Sequence, residues 1–175
     1  MFQKGEGISV DLAQAAESFR KAAVQNHPEA QFNLASMHYF GDGVPKNLTV
    51  AATWFRNAAV QGHPDAQFNL GLMYLKGEGV PANLNESVQW LKKAADQGDP
   101  TAQFNLATLY SAGRGVPKDL VQAYMWADLA ASAGDPNSAR LRSGLQRTVS
   151  PDQIAQALQR EQQWKPNVQY SWTLK

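Results

Sequence analysis

The string AQFNL occurs at residues 30–34, 66–70 and 102–106, each copy beginning 36 residues after the last. The period carries more than this string. GDGVP at 41–45, GEGVP at 77–81 and GRGVP at 113–117 keep the same spacing, and GEGIS at 5–9 is a looser first copy. NHP at 26–28, GHP at 62–64 and GDP at 98–100 and 134–136 align in the same register. A fixed period of about 20–50 residues marks one supersecondary unit that buries its apolar face only by stacking on its neighbours. The chain therefore reads as a solenoid.

Each unit holds two helices. Helix A is predicted over 29–40, 65–76 and 101–112, with Pro28, Pro64, Pro100 and Pro136 at the first helical position, where a missing N–H costs nothing. Asp99 and Asp135 precede it as N-caps, while His27 and His63 hold the same place and cap less well. Ala66, Leu70, Met73 and Tyr74 form an amphipathic stripe, and the Gly-x-Gly that follows stops the helix. Helix B is predicted over 11–25, 47–61, 83–97 and 119–133. Asp11, Asn47, Asn83 and Asp119 are its N-caps, and Gln14, Glu86 and Gln122 complete a capping-box pattern that Val50 breaks in the second copy. Asn26, Gly62, Gly98 and Gly134 suit a left-handed helix end. The alanine columns 22/58/94/130 and 23/59/95/131 let helix B approach helix A closely.

Composition narrows the function classes. A formal charge of +1 gives no field that draws in nucleic acid or an anionic membrane, and neither is an expected partner. With no cysteine there is neither a disulfide nor a thiolate metal site. No apolar run approaches the ~20 residues of a bilayer-spanning helix. MFQKGEGISVD, at the start, has no apolar stretch like that of a signal peptide, and localisation is left open.

The recurring unit A-x-x-x-L-x-x-x-Y-x-x-G-x-G-V-P, followed by a W-[FL]-x-x-A-A-x-x-G helix, resembles the Sel-one-like repeat, a relative of the tetratricopeptide repeat, over about residues 5–136. His38 departs from the tyrosine of Tyr74 and Tyr110, and Ser18 from the tryptophan of Trp54, Trp90 and Trp126. Residues 137–164 are similar to an ending common in bacterial members: a degenerate helix A, then SPDQIAQALQREQQW. There Ser150, Pro151 and Gln153 supply an N-cap, a first-turn proline and a capping box for a helix that covers the last repeat.

The expected fold is all-α: a right-handed α-solenoid of helix–turn–helix repeats with a 36-residue period and a C-terminal capping helix. It divides into a half repeat (1–28, loop and helix B only), full repeats at 29–64, 65–100 and 101–136, a helical cap (137–165) and a flexible tail (166–175). The first helix A would begin before Met1, which leaves Leu12, Ala15, Phe19 and Ala22 uncovered. A fragment of a longer repeat protein, a self-association face at residues 10–25, and simple fraying are the alternatives. In the tail, Tyr170 and Trp172 alternate as in an extended segment.

The helical wheel points to a candidate binding face. In helix A the first, fifth and eighth positions of AQFNL-type copies cluster on one side, and the third, seventh and tenth point opposite. Those outward positions are Phe32, Ser36 and Tyr39, then Phe68, Leu72 and Leu75, then Phe104, Thr108 and Ser111. An apolar, aromatic stripe stands where a polar face is expected. In solenoids successive helices A line the concave surface, and the resemblance implies peptide binding there. Asn33, Asn69 and Asn105 flank the stripe with amides that could bond a peptide backbone. The competing reading puts the phenylalanines in the core, stacked on neighbouring helices.

Other clusters are weaker. His27 and His63 occupy equivalent turns, but a firm metal site needs three or four ligands, so capping and solvent exposure explain them better. Glu6, Asp42 and Glu78 form an acidic column broken by Arg114, read as a solvated edge rather than a calcium site. Cysteine-rich relatives of the repeat are linked to β-lactam binding. SFRK at 18–21 matches Ser-x-x-Lys, yet no Ser-Asp-Asn or Lys-Thr-Gly partner occurs. No metalloprotease helix, phosphate loop or serine elbow is present. The expectation is a non-catalytic adaptor or scaffold without metal or cofactor, binding a protein or peptide segment on its concave face. Self-association through the uncovered first helix is the alternative, and a weak hydrolase using Ser18 and Lys21, or a β-lactam-binding protein, is the remote one.

Overall fold

The computed structural model describes residues 12–167, and among them the chain forms nine α-helices and no strand. Helices B are α1 (Leu12–Ala23), α3 (Leu48–Val60), α5 (Leu84–Asp96) and α7 (Leu120–Ser132). Helices A are α2 (Pro28–Phe40), α4 (Pro64–Lys76), α6 (Pro100–Ala112) and α8 (Pro136–Leu145), and α9 (Pro151–Gln163) follows them. Each helix packs against the next in sequence from α1 to α8, while α9 lies against α7. The fold is the expected all-α solenoid of helix–turn–helix units, and α9 caps it. The Asp11 N-cap and residues 168–175 of the tail lie outside the described residues.

The caps carry the periodicity into backbone geometry. Asn47 Oδ1 accepts from Val50 N–H at 3.0 Å, and Asp119 Oδ1 accepts from Val121 and Gln122 N–H at 2.9 and 3.0 Å. At α5 the amide of Asn83 caps Asn85 and Glu86, but Glu86 Oε2 accepts the indole N–H of Trp90 at 3.2 Å. The reciprocal capping box forms at Ser150 and Gln153. Asn26, Gly62, Gly98 and Gly134 close helices B at φ of 67°, 93°, 95° and 96°.

The second glycine of each Gly-x-Gly turn has a further reason to be there. Gly43, Gly79 and Gly115 lie at φ of 68°, 69° and 73°. A Cβ on them would stand 2.3 Å from the Leu12 carbonyl oxygen, 2.2 Å from that of Leu48 and 2.6 Å from that of Leu84. The turn of one repeat therefore sits directly on the first residue of helix B in the repeat before it. Glycine sets both the turn and the stacking distance.

The core runs as a row between the helices. One cluster gathers Ala35, Ala51, Phe55, Ala59, Ala66, Leu70 and Met73. The next gathers Leu91, Ala95, Leu106, Leu109, Tyr124 and Trp126 and continues into Leu145 and Ala157 of the cap. The paired alanines Ala58, Ala59, Ala94 and Ala95 are buried, as close helix approach requires.

Candidate functional site

Except for Thr108, which is exposed, the outward positions of helices A are half-buried rather than free. Phe32 stacks on the His63 ring (centroids 4.6 Å apart, planes at 20°) and lies tilted 5.7 Å from Phe55. Tyr39 meets Phe40 edge-on at 5.1 Å, and its hydroxyl donates to Glu78 Oε2 at 2.7 Å. That bond joins helix A of one repeat to the Gly-x-Gly turn of the next, and with burial it pushes the Tyr39 phenol up from its ordinary value. Phe32 and Tyr39 pack on the first of the two core clusters just described; Phe68, Leu72 and Leu75 pack on the second. Phe104 is half-buried as well.

The asparagines flank this stripe at constant spacing. Asn33 Nδ2 donates to the Glu29 carbonyl and to Glu29 Oε1, both at 3.0 Å. Asn69 and Asn105 Nδ2 donate to the Asp65 and Thr101 carbonyls, each at 2.7 Å. Each amide is thus oriented by its own helix, which fixes the direction of its Oδ1 and second N–H. A row of pre-oriented amides beside an apolar stripe can hold an extended backbone through hydrogen bonds and its side chains through burial.

His63 departs from the expectation of solvent exposure. Its side chain is 1% exposed, Nδ1 accepts from Ala66 N–H at 3.4 Å, and Nε2 lies 3.1 Å from Glu29 Oε2. His63 is a buried cap because Phe32 covers one face of its ring. His27 remains exposed and forms no side-chain cap. Among the described residues, no group of three or more His, Asp or Glu is placed to hold a metal ion. Ser18 Oγ donates to the Gln14 carbonyl at 2.9 Å, so its hydroxyl is directed along the helix.

Sequence reasoning missed the glutamine of AQFNL. Gln31, Gln67 and Gln103 are buried, and their Nε2 atoms donate to the carbonyls of Ala23, Ala59 and Ala95 at 3.1, 3.0 and 3.2 Å. Gln61 and Gln97, at the ends of helices B, donate to Gln31 and Gln67 Oε1 at 2.7 and 2.8 Å. Ala133 stands where a third such glutamine would be. The recurrence of Gln31, Gln67 and Gln103 was visible, but the wheel puts them on the flank of helix A, about 100° from its inward first position, and so does not mark them as buried.

A second polar cluster sits under the cap. Arg142 Nη1 donates to Asp128 Oδ1 at 2.5 Å. Burial, and then the hydrogen-bonded Asp128 carboxylate beside it, push Glu161 up to about 7, against the pull of Arg142. Trp164 meets Trp126 edge-on at 6.1 Å and, with Leu129 and Leu158, borders a cavity of about 340 Å³.

The geometry defines a class: a repeat scaffold whose surface is an array of helix faces. The sequence profile of the Sel1 repeat matches residues 1–27, 28–63, 64–99 and 100–135. The chain belongs to the Sel1 repeat family. Among solved structures it is similar to a Sel1 repeat protein from Oxalobacter formigenes, with 28% identity and a TM-score of 0.77 over 92% of this chain and 68% of that one. It is also similar to c5321, a protective antigen present in uropathogenic Escherichia coli strains that displays an SLR fold. That match has 30% identity and a TM-score of 0.65 over 86% of this chain and 40% of that one. Cysteine rich protein B of Helicobacter pylori shares the fold at 22% identity and a TM-score of 0.59, over 79% of this chain and 99% of that one. A search of curated proteins gave no match to the chain. Sel1 repeat proteins are in general protein-interaction modules, non-catalytic scaffolds that bind protein partners.

Proposed function

We propose that this protein is an adaptor or scaffold that binds an extended peptide or protein segment along the faces of α2, α4 and α6. Phe32, Tyr39, Phe68, Leu72, Leu75 and Phe104 supply apolar contact, and Asn33, Asn69 and Asn105 supply hydrogen bonds to the bound backbone. The observation that carries this reading is the asparagine row: three amides in equivalent positions, each oriented by a bond to the carbonyl four residues earlier. Asparagine weakens a helix interior relative to alanine, so its recurrence at a half-buried helical position fits recognition better than folding.

The test is affinity capture from the source cell with wild type beside an Asn33→Ala, Asn69→Ala, Asn105→Ala variant. The substitutions remove no core contact, so the variant stays folded. Loss of a partner by the variant supports the reading, and equal retention by both proteins refutes it.

A second reading rests on α1, which packs against α2 while Leu12 at its start and Val24 just past its end are 45% and 68% exposed. Self-association through that helix would raise the sedimentation coefficient with concentration. A monomer at all concentrations removes it.

A further inference from the structure

The 36-residue register carries the stripe one helix beyond α6. The place of Phe32, Phe68 and Phe104 is taken on α8 by Arg140, and that of Ser36, Leu72 and Thr108 by Gly144. The place of Tyr39, Leu75 and Ser111 is taken by Arg147, in the turn that ends α8. Because α8 touches α6 as well as α7, the face continues from the third helix A to the fourth. Its chemistry changes there: two guanidinium groups flank a glycine.

Arg140, Ser143, Gly144 and Arg147 are exposed and, with Ala139, line an open hollow of about 410 Å³. Among the described residues neither Arg140 nor Arg147 has a carboxylate partner, whereas Arg142 is tied to Asp128 of α7. Nothing lies within 4 Å of a Cβ placed on Gly144, and its φ is not positive, so neither packing nor backbone calls for glycine. Glycine weakens a helix relative to alanine. What it provides is a bare floor between the two arginines, on which a bound chain can approach closely.

The margins of the stripe change sign in the same direction. The middle residue of the Gly-x-Gly turn is Asp42, then Glu78, then Arg114. Glu78 shows where this position lies, since its carboxylate receives the Tyr39 hydroxyl of the preceding helix A. Arg114 holds the equivalent place one repeat on and is exposed. The second position of helix A runs Glu29, Asp65, Thr101, Asn137 and likewise loses its acids.

We propose that the segment bound along α2, α4 and α6 ends over α8 with an acidic side chain, an Asp or Glu whose carboxylate is held by Arg140 and Arg147. The inference rests on the peptide-groove reading and adds the partner's chemistry and register: apolar residues over α2 to α6, a carboxylate over α8. The guanidinium fork matches a carboxylate with two parallel N–H bonds. The acids beside α2 and α4 repel the same carboxylate, so the segment is held in one orientation.

The full chain is used to select from short random segments displayed between constant flanks, so that a free chain end cannot supply the carboxylate. Wild type is run beside an Arg140→Gln, Arg147→Gln variant, whose substitutions lie on exposed positions and whose fold is checked by thermal unfolding. Wild type is expected to enrich segments that carry apolar residues with an Asp or Glu toward one end. The variant is expected to keep the apolar preference and lose the acidic one. Changing the acid of a selected segment to its amide is expected to weaken binding to wild type about fivefold, and to the variant less than about twofold. Apolar segments without an acidic preference, or an acidic preference that the variant retains, would overturn this inference and leave the groove standing. Failure of wild type to enrich any segment would overturn the groove and this inference together.

Discussion

The side-chain amide of Gln61 donates to Oε1 of Gln31 at 2.7 Å, and Gln31 in turn donates to the Ala23 carbonyl at 3.1 Å. The relay joins three successive helices, with the end of α1 and the end of α3 both tied to the start of α2. Gln97 and Gln67 repeat it one step further along. Amides that bond across neighbouring helices specify one stacking register, since a slipped neighbour would break those bonds.

Gln67→Leu therefore removes two bonds, one to the Ala59 carbonyl and one from the Gln97 amide, while Gly62 remains a partner of both groups. The expected cost is about 2 kcal/mol. Gln103→Leu breaks one fewer, because Ala133 offers no amide to its Oε1, and is expected to cost about 1 kcal/mol less. Urea denaturation of the two variants measures the difference; equal losses would show that the glutamine pair adds nothing.

Two glycines separate backbone strain from stacking. Gly134 has φ 96° with nothing within 4 Å of a Cβ, so Gly134→Ala carries the conformational penalty alone, about 1 kcal/mol. At Gly79 a Cβ would lie 2.2 Å from the Leu48 carbonyl oxygen, and Gly79→Ala is expected to cost at least about 3 kcal/mol. Thermal unfolding of both variants checks the order.

The cap should loosen as pH rises. Glu161 is held near 7, above its ordinary 4.5, so the folded chain favours the protonated carboxyl. Its contribution is complete below pH 4.5 and fades as pH rises through about 7. Screening at this partly exposed site leaves a loss on the order of 1 kcal/mol. The groups facing it are Asp128, Arg142 and Tyr124. Glu161→Gln, neutral throughout, is expected to flatten the slope of stability between pH 5 and pH 8, read by denaturation across that range.

Helices and caps are the part of this fold that the sequence spells out. Pro64 before an apolar stripe, Asn47 before Leu48 and Gly62 after an alanine pair act locally, within one turn of their own helix. The glutamine relay and the buried His63 are not local. Gln61 meets Gln31 across 30 residues, and His63 meets Phe32 from the opposite end of the same repeat. The wheel fails at Phe32 for the same reason: it separates inward from outward on one helix, but the outward side of α2 is where the cap of α4 lies.

The most direct test of the central claim is a map of where a captured segment touches the chain. Amide and side-chain NMR signals are recorded with and without it. The account predicts changes at the amides of Asn33, Asn69 and Asn105 and along Phe32–Tyr39, Phe68–Leu75 and Phe104. Changes confined to α3, α5, α7 or the α9 cap would contradict it.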